Sequence, residues 1–280
     1  MQEIASIARL RAWRAAQRAA ARRVALVPTM GHLHEGHLAL VDEARRRADA
    51  VVLSIFVNPL QFGPSEDLER YPRDLPRDRS LSEARGVDAL FVPSVDEMYP
   101  PGMEIRVAAG ETAERWEGAA RPGHFTGVLT VVAKLFHLVE PEVACFGQKD
   151  IQQLTLLRRM LQDLDWPVAL AAVPTVRDPD GLALSSRNVY LSPAERADAL
   201  SLSRGLRSAE AAWRGGERSA AALEGVVRAS LGAAPGVGAE YIAVVEPERL
   251  RPVERAAAGT IIAIAARVGG TRLIDNVILG

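Results

Sequence analysis

A doubly wound α/β fold, a parallel sheet covered on both faces by helices and followed by a smaller α+β domain, is what this 280-residue sequence predicts. Short β-rich runs alternate with helical patterns as far as residue 173, the signature of strands joined by crossover helices. Beyond Pro174 the texture changes to a polar loop rich in Asp, Gly and Ser, then to Ala-rich helical stretches. Two strand-like runs flanking Gly269-Gly270 near the end give a hairpin signal.

Taken in order, Ile4, Ile7, Leu10 and Trp13 recur at helical spacing, so the Ala- and Arg-rich start reads as an amphipathic helix rather than a transit peptide. Residues 24–27 are an apolar run that predicts a buried strand, and 35–47 are the helix that follows it. Strand 50–57, helix 74–85 and strand 87–92 repeat the unit. A long helix over 125–139 stops before Pro141, which has no N–H to continue it, and strand 142–146 follows. Helix 150–164 and strand 168–173 close the series, which reads as a Rossmann-like domain. Helices 193–213 and 219–231 and strands 239–245, 260–267 and 272–279 make the rest, with a domain boundary near 175 separating 1–175 from 176–280.

Composition narrows the function classes. Hydrophobic residues are 48% and charged residues 25%, ordinary for a soluble globular chain. The net charge of −1, from 34 basic and 35 acidic residues, offers no global positive field, which disfavours a nucleic-acid binder but leaves room for a local anion site. No apolar stretch approaches the length of a membrane span. Cys145 is the only cysteine, so no intramolecular disulfide is possible and a reducing cytoplasm is expected. It lies in an apolar run with no basic neighbour in sequence, which reads as a buried strand residue rather than a nucleophile. All but two of the basic residues are arginine, the exceptions being Lys134 and Lys149, so Lys149 is a candidate for a task that needs a compact ammonium.

Chemistry-bearing residues gather where strands end. Pro28-Thr29-Met30-Gly31 leaves the first buried strand and Leu33-His34-Glu35-Gly36-His37 opens a helix, at the sheet edge where such folds bind ligands. A helix N-terminus with two histidines on one face describes a phosphate site. Gly31 permits a tight turn and Gly36 clears room for an adenine or ribose. Capping or surface roles for these histidines are the simpler alternative, although His32, His34 and His37 are three of only five in the chain. Zinc is disfavoured, because the His-Glu-x-x-His pattern sets its ligands four apart and these stand three apart. Asn58 and Gln61 follow the second strand, where amides suit a small hydroxylated substrate, while Asn58-Pro59 is also an ordinary turn signal. Gly147-Gln148-Lys149-Asp150 repeats the pattern: close backbone approach, an ammonium for phosphate, and a carboxylate that is either a ribose acceptor or an N-cap. Leu184-Ser185-Ser186-Arg187-Asn188 lies in the polar loop, two hydroxyls and a guanidinium that suit a flap over a polyphosphate.

These segments, with Tyr71-Pro72-Arg73, Arg121-Pro122-Gly123-His124-Phe125-Thr126-Gly127 and 180–188, together resemble the pantothenate synthetase family along nearly the whole chain. That family belongs to the nucleotidyltransferase superfamily, and His34 to His37 is similar to its His-x-Gly-His signature, Ser185 to Arg187 to its mobile serine loop. The resemblance implies an ATP site lined by Met30, Gly31, His32, Leu33, His34, Glu35, Gly36, His37, Gly147, Gln148, Lys149, Asp150, Val176, Leu184, Ser185, Ser186 and Arg187. It implies that His37, His34, Lys149 and Arg187 assist catalysis, that Gln61 and Gln153 hold pantoate, with Asn58 and Arg121 also on the substrate side, and that Asp78 serves Mg²⁺. The implied partners are ATP, pantoate and β-alanine, and the implied assembly a homodimer. His32, Leu184 and Ile151 depart from the alanine, methionine and tyrosine usual in the family, which touches packing around adenine. Two other readings are another nucleotidyltransferase, which would not need the paired glutamines, and a nucleotide sensor, which would release no pyrophosphate.

Overall fold

Parallel strands order the chain as far as Val173 and a three-stranded antiparallel sheet orders its end. The structure is a computed structural model that describes residues 1–64 and 66–280. Along the chain run β1 (Gln2–Ile4), α1 (Ile7–Ala19), β2 (Val24–Thr29), α2 (Glu35–Arg47), β3 (Ala50–Ile55), α3 (Leu75–Ala84), β4 (Ala89–Phe91), α4 (Val95–Met98), α5 (Glu117–Ala120), α6 (His124–Val139), β5 (Val143–Gly147), α7 (Ile151–Asp163) and β6 (Ala169–Val173). Then come α8 (Pro193–Arg214), α9 (Ala220–Gly232), β7 (Val237–Val245), β8 (Ile261–Val268) and β9 (Thr271–Ile278). Two compact units form: Met1–Gly110, Arg121–Gln148 and Leu156–Pro174 make one, and Glu111–Ala120, Lys149–Thr155 and Thr175–Gly280 the other. A single boundary near 175 does not provide for the two short segments that group with the second unit.

In the first unit the sheet order is β1-β4-β3-β2-β5-β6 and every pairing is parallel. The chain winds one way from β2 through β3 to β4 and the other way through β5 to β6, so the order reverses at the β2–β5 neighbours. Leu26 pairs with Ala144, and from that register β2 reaches Thr29 while β5 reaches Gly147, so the two turns leave the same edge side by side. Strands of this kind are covered on both faces and read as continuous apolar runs, which is why Val24 to Val27 and Ala50 to Leu53 are wholly buried. Leu40, Val41 and Ala44 of α2 pack on Ala25, Val27, Val51 and Leu53, and the alternate residues point to the opposite face. β1 was not expected. Ile4 pairs with Phe91 instead of extending α1, whose start is fixed by the Ser6 hydroxyl accepting from Arg9 N–H.

In the second unit β7-β8-β9 is an antiparallel sheet, with the expected hairpin closing Val268 on Thr271. Leu202 and Leu206 of α8, Leu223 and Val227 of α9, and Ile262 and Ile264 of β8 share one core. Pro193 and a reciprocal Ser192–Glu195 cap start α8. The polar stretch after Pro174 is an ordered hairpin-like loop: Leu184 N–H donates to Val176 O at 3.0 Å and Asp178 N–H to Leu182 O at 2.8 Å. Arg177 holds it to Asp275 of β9 by two bonds of 2.6 and 2.9 Å, and Arg196 of α8 reaches Asp178 and Asp180. Among the described residues no helix is long and apolar enough to cross a membrane.

Candidate active site

The turn that leaves β2 is forced into an unusual backbone. Gly31 has φ 85° and His32 φ 50°, left-handed values that a histidine adopts at some cost. Asp78 of α3 offsets that cost: its side chain accepts His32 N–H and Leu33 N–H, each at 2.7 Å, and the residue is 1% exposed. Arg77 adds a bond to Leu33 O at 2.7 Å. The turn thereby delivers the chain to the N-terminus of α2 in one orientation.

There His34 and His37 stack, ring centroids 4.0 Å apart. Gly36 N–H donates to His34 Nδ1 at 3.1 Å and His34 N–H to His37 Nδ1 at 3.4 Å. A backbone N–H only donates, so each Nδ1 is an acceptor, and in the neutral ring the proton sits on Nε2. Nδ1 of each ring serves the helix end, which places Nε2, and in the neutral ring its hydrogen, at a positive dipole terminus. Met30, His32, Gly36 and His37 are partly buried and Leu33 is fully buried. Glu35 is exposed and its side chain pairs with Arg85 at 2.8 Å.

Beside this turn at the reversal of strand order, Gly147 and Gln148 leave β5, Gln148 N–H bonding Val173 O at 2.8 Å. A Cβ built on Gly147 would meet nothing within 4 Å. The fold does not need a glycine there, so the open space is available to a ligand.

The turn after β3 holds Gln61. Its Nε2 donates to Met30 Sδ at 3.1 Å and its Oε1 accepts from Asn58 Nδ2 at 3.0 Å. Asn58, 1% exposed, also donates to Gly127 O and accepts from Leu60 N–H and the Tyr99 hydroxyl. Four bonds exhaust a side-chain amide. Asn58 thus positions Gln61 and has no capacity left for the substrate contact expected of it. Arg121 is likewise engaged, gripping Glu66 through Nε and Nη2 at 2.7 and 2.6 Å. A cavity of ≈ 320 Å³ at this edge is lined by Met30, Gly31, the end of β3, Asp78 and Val92 to Val95, but not by His34, His37 or Gln61.

In the second unit Lys149 is half-buried, and burial lowers its ammonium pKa; Asp150 and Asp275 oppose that shift and Arg187 adds to it. Two cations close enough to repel gain from an incoming anion. Asn276 Nδ2 fixes Lys149 O at 2.8 Å. Asp150 is exposed just before α7, and Gln153 is partly buried in the first turn of that helix. Ser185 caps the short 3₁₀ turn Ser186–Tyr190 by accepting Arg187 N–H at 3.2 Å, Ser186 is buried, and Val176 and Leu184 pair across the loop. Sequence reasoning missed Asp275 and Asn276 near Lys149, and Glu117, which binds Arg272 through both oxygens. Nothing in their local sequence marks them, because each acts on a residue far along the chain.

Each oxygen of Asp78 accepts one backbone N–H, which leaves further lone pairs on the carboxylate, and no group of three His, Cys, Asp or Glu residues among the described residues could hold an ion by itself. Cys145 is fully buried, and burial pushes its thiol up to about 12, which leaves it inert as a nucleophile.

Comparison with known proteins identifies the family. The family model described as pantoate-beta-alanine ligase matches residues 2–278. The pantothenate synthetase of Roseiflexus castenholzii is 52% identical over 279 residues, covering 100% of this chain and 99% of the relative. The crystal structure of pantothenate synthetase from Thermus thermophilus superposes with a TM-score of 0.95 at 50% identity, covering 100% of this chain and 99% of the other. That of pantoate-beta-alanine ligase from Francisella tularensis, complexed with beta-gamma ATP and beta-alanine, has a TM-score of 0.83 at 32% identity, covering 99% and 97%. With the family model and full-length relatives in agreement, the chain belongs to the pantoate–β-alanine ligase, or pantothenate synthetase, family.

Proposed function

We propose that the protein joins pantoate to β-alanine at the expense of ATP, by way of a pantoyl-adenylate, releasing pyrophosphate and then AMP. The observation that carries this reading is the stacked His34–His37 pair, with both Nδ1 atoms accepting backbone N–H groups of the helix end, which assigns the hydrogen of each neutral ring to Nε2. In the first step a pantoate carboxylate oxygen attacks the α-phosphorus, a P–O bond forms, and the bond to pyrophosphate breaks with its electron pair. No side chain needs to become covalently bound, so catalysis is alignment and charge compensation. Neutral imidazoles at a helix N-terminus donate to the phosphates without giving up a proton. Lys149 and Arg187 are assigned the growing charge of the leaving group, and each donor of this kind contributes on the order of 10² in rate. In the second step the β-alanine amine attacks the acyl carbon, AMP departs with the former carboxylate oxygen, and the amine proton passes to solvent.

Gln61 is assigned to pantoate. A thioether is a weak acceptor, so the Gln61 Nε2–H now on Met30 Sδ gains by moving to a substrate oxygen. Gln153 is assigned the same substrate. Mg²⁺ would be held mainly by the phosphates of ATP, with Asp78 as its assigned protein carboxylate, and would supply charge compensation there. A reducing cytoplasm suits the lone buried thiol, and a homodimer is the proposed assembly, which light scattering on the purified protein tests. The activity test is AMP formation from ATP, pantoate and β-alanine with each omitted in turn. AMP release only with all three supports the reading; ADP formation, or turnover without pantoate, contradicts it.

A further inference from the structure

Five bonds converge on one peptide carbonyl and the groups that hold it. Gln61 O accepts from Arg121 Nη2 at 3.2 Å and faces His124 Nδ1 at 2.9 Å. Arg121 Nη1 lies 3.1 Å from His124 Nε2, and the remaining edge of the guanidinium grips both oxygens of Glu66. His124 is 8% exposed, and the Arg121 and Glu66 side chains 14% and 22%. Burial alone would raise the Glu66 carboxyl, but the hydrogen bonds and charge of Arg121 overturn it and hold it below its ordinary range.

The donors and acceptors assign the histidine proton. A guanidinium only donates, so His124 Nε2 accepts; a carbonyl only accepts, so Nδ1 carries the hydrogen. The ring is neutral, with its proton on Nδ1, the opposite tautomer to that of His34 and His37. Glu66 orients Arg121, Arg121 fixes the tautomer and tilt of His124, and both hold the backbone carbonyl of Gln61. We propose that Glu66, Arg121 and His124 are positioning residues that set Gln61 for pantoate, and that Arg121 acts through this carbonyl rather than on substrate. The inference rests on the assignment of Gln61 to pantoate.

The tautomer supplies the test. Asparagine places an amide N–H where Nδ1 stands, and glutamine reaches only to the position of Nε2. His124→Asn therefore retains most of the pantoate affinity, whereas His124→Gln raises the pantoate KM about 10-fold, the worth of one well-placed hydrogen bond, with the ATP KM within about twofold. Both are measured again in a Gln61→Ala background, with Arg121→Lys as a second variant and thermal melting to establish that each protein is folded. With Gln61 absent, His124→Gln and Arg121→Lys add less than about twofold, because residues acting through one group are not additive. Equal damage from asparagine and glutamine, or full additivity with Gln61→Ala, overturns the clamp. A Gln61→Ala enzyme with unaltered pantoate KM instead removes the assignment of Gln61, and the clamp with it.

Discussion

Gly127→Ala tests how closely the pantoate side of the site depends on helix packing. Gly127 lies in the first turns of α6, where it faces the turn Pro59–Gln61. A Cβ there would stand 2.1 Å from Leu60 O, 2.4 Å from Leu60 C and 2.6 Å from Gln61 N. All three are backbone atoms, so no side chain can swing aside. Ordinary contact begins at 3.4 Å, and the turn must therefore recede by about 1 Å, which a close-packed interior resists. The bond from Asn58 Nδ2 to Gly127 O stretches with it. Overpacking costs about 1–3 kcal/mol, and the gain from alanine in a helix returns about 1 kcal/mol, so the net destabilisation is about 0–2 kcal/mol. The catalytic effect is larger, since a misplacement of about 1 Å costs about 10² in rate. Pre-steady-state pyrophosphate release at saturating ATP, with pantoate varied, reads it. The expected result is a roughly 10²-fold fall in kcat/KM for pantoate with ATP binding retained. Wild-type pantoate kinetics in a folded Gly127→Ala enzyme would refute the reasoning that ties Gln61 to this contact.

Three further outcomes are expected. Asp78→Ala strips the acceptor from two buried N–H groups and releases the left-handed turn, costing about 3 kcal/mol in urea denaturation; a stable Asp78→Ala protein whose activity returns with excess Mg²⁺ would make Asp78 a metal ligand instead. Because the Glu66 pKa is depressed on folding, its contribution is complete above the ordinary value of 4.5 and is lost as pH falls below it. Stability measured between pH 6 and about 3.5 should fall less in Glu66→Gln than in wild type, by at most about 1.4 kcal/mol, the limit for one carboxyl titrated a unit below its ordinary value; identical curves contradict the Arg121 pairing. Cys145 should resist a thiol reagent at pH 8 in the folded protein and react once unfolded, whereas rapid native labelling would place it at an exposed site.

What was legible in the sequence follows from the range of the forces involved. The range 35–47 expected for α2 matches Glu35–Arg47, since the signals that start and stop a helix are local. β1 was illegible because three residues carry no periodicity, and Ile4 fits a helical pattern as well as it fits the pairing with Phe91. The grouping of 111–120 with the second unit depends on contacts such as Gln152 with Thr112 O and Arg115 O, which no window along the chain contains. The same limit divides the site. The paired histidines and the isolated Gly147 show in their own neighbourhoods, whereas Asp78 and Arg121 carry charges whose tasks are set by partners 45 to 60 residues away. A charge in a motif reads as a ligand until its partner is known.

The adenylate is the claim on which the rest depends, and isotope transfer tests it most directly. Pantoate labelled with ¹⁸O in its carboxylate, incubated with ATP and β-alanine, should yield AMP carrying one labelled oxygen, because the carboxylate oxygen that attacks phosphorus departs on AMP. Unlabelled AMP, with the label kept entirely in the amide product and water, would contradict it.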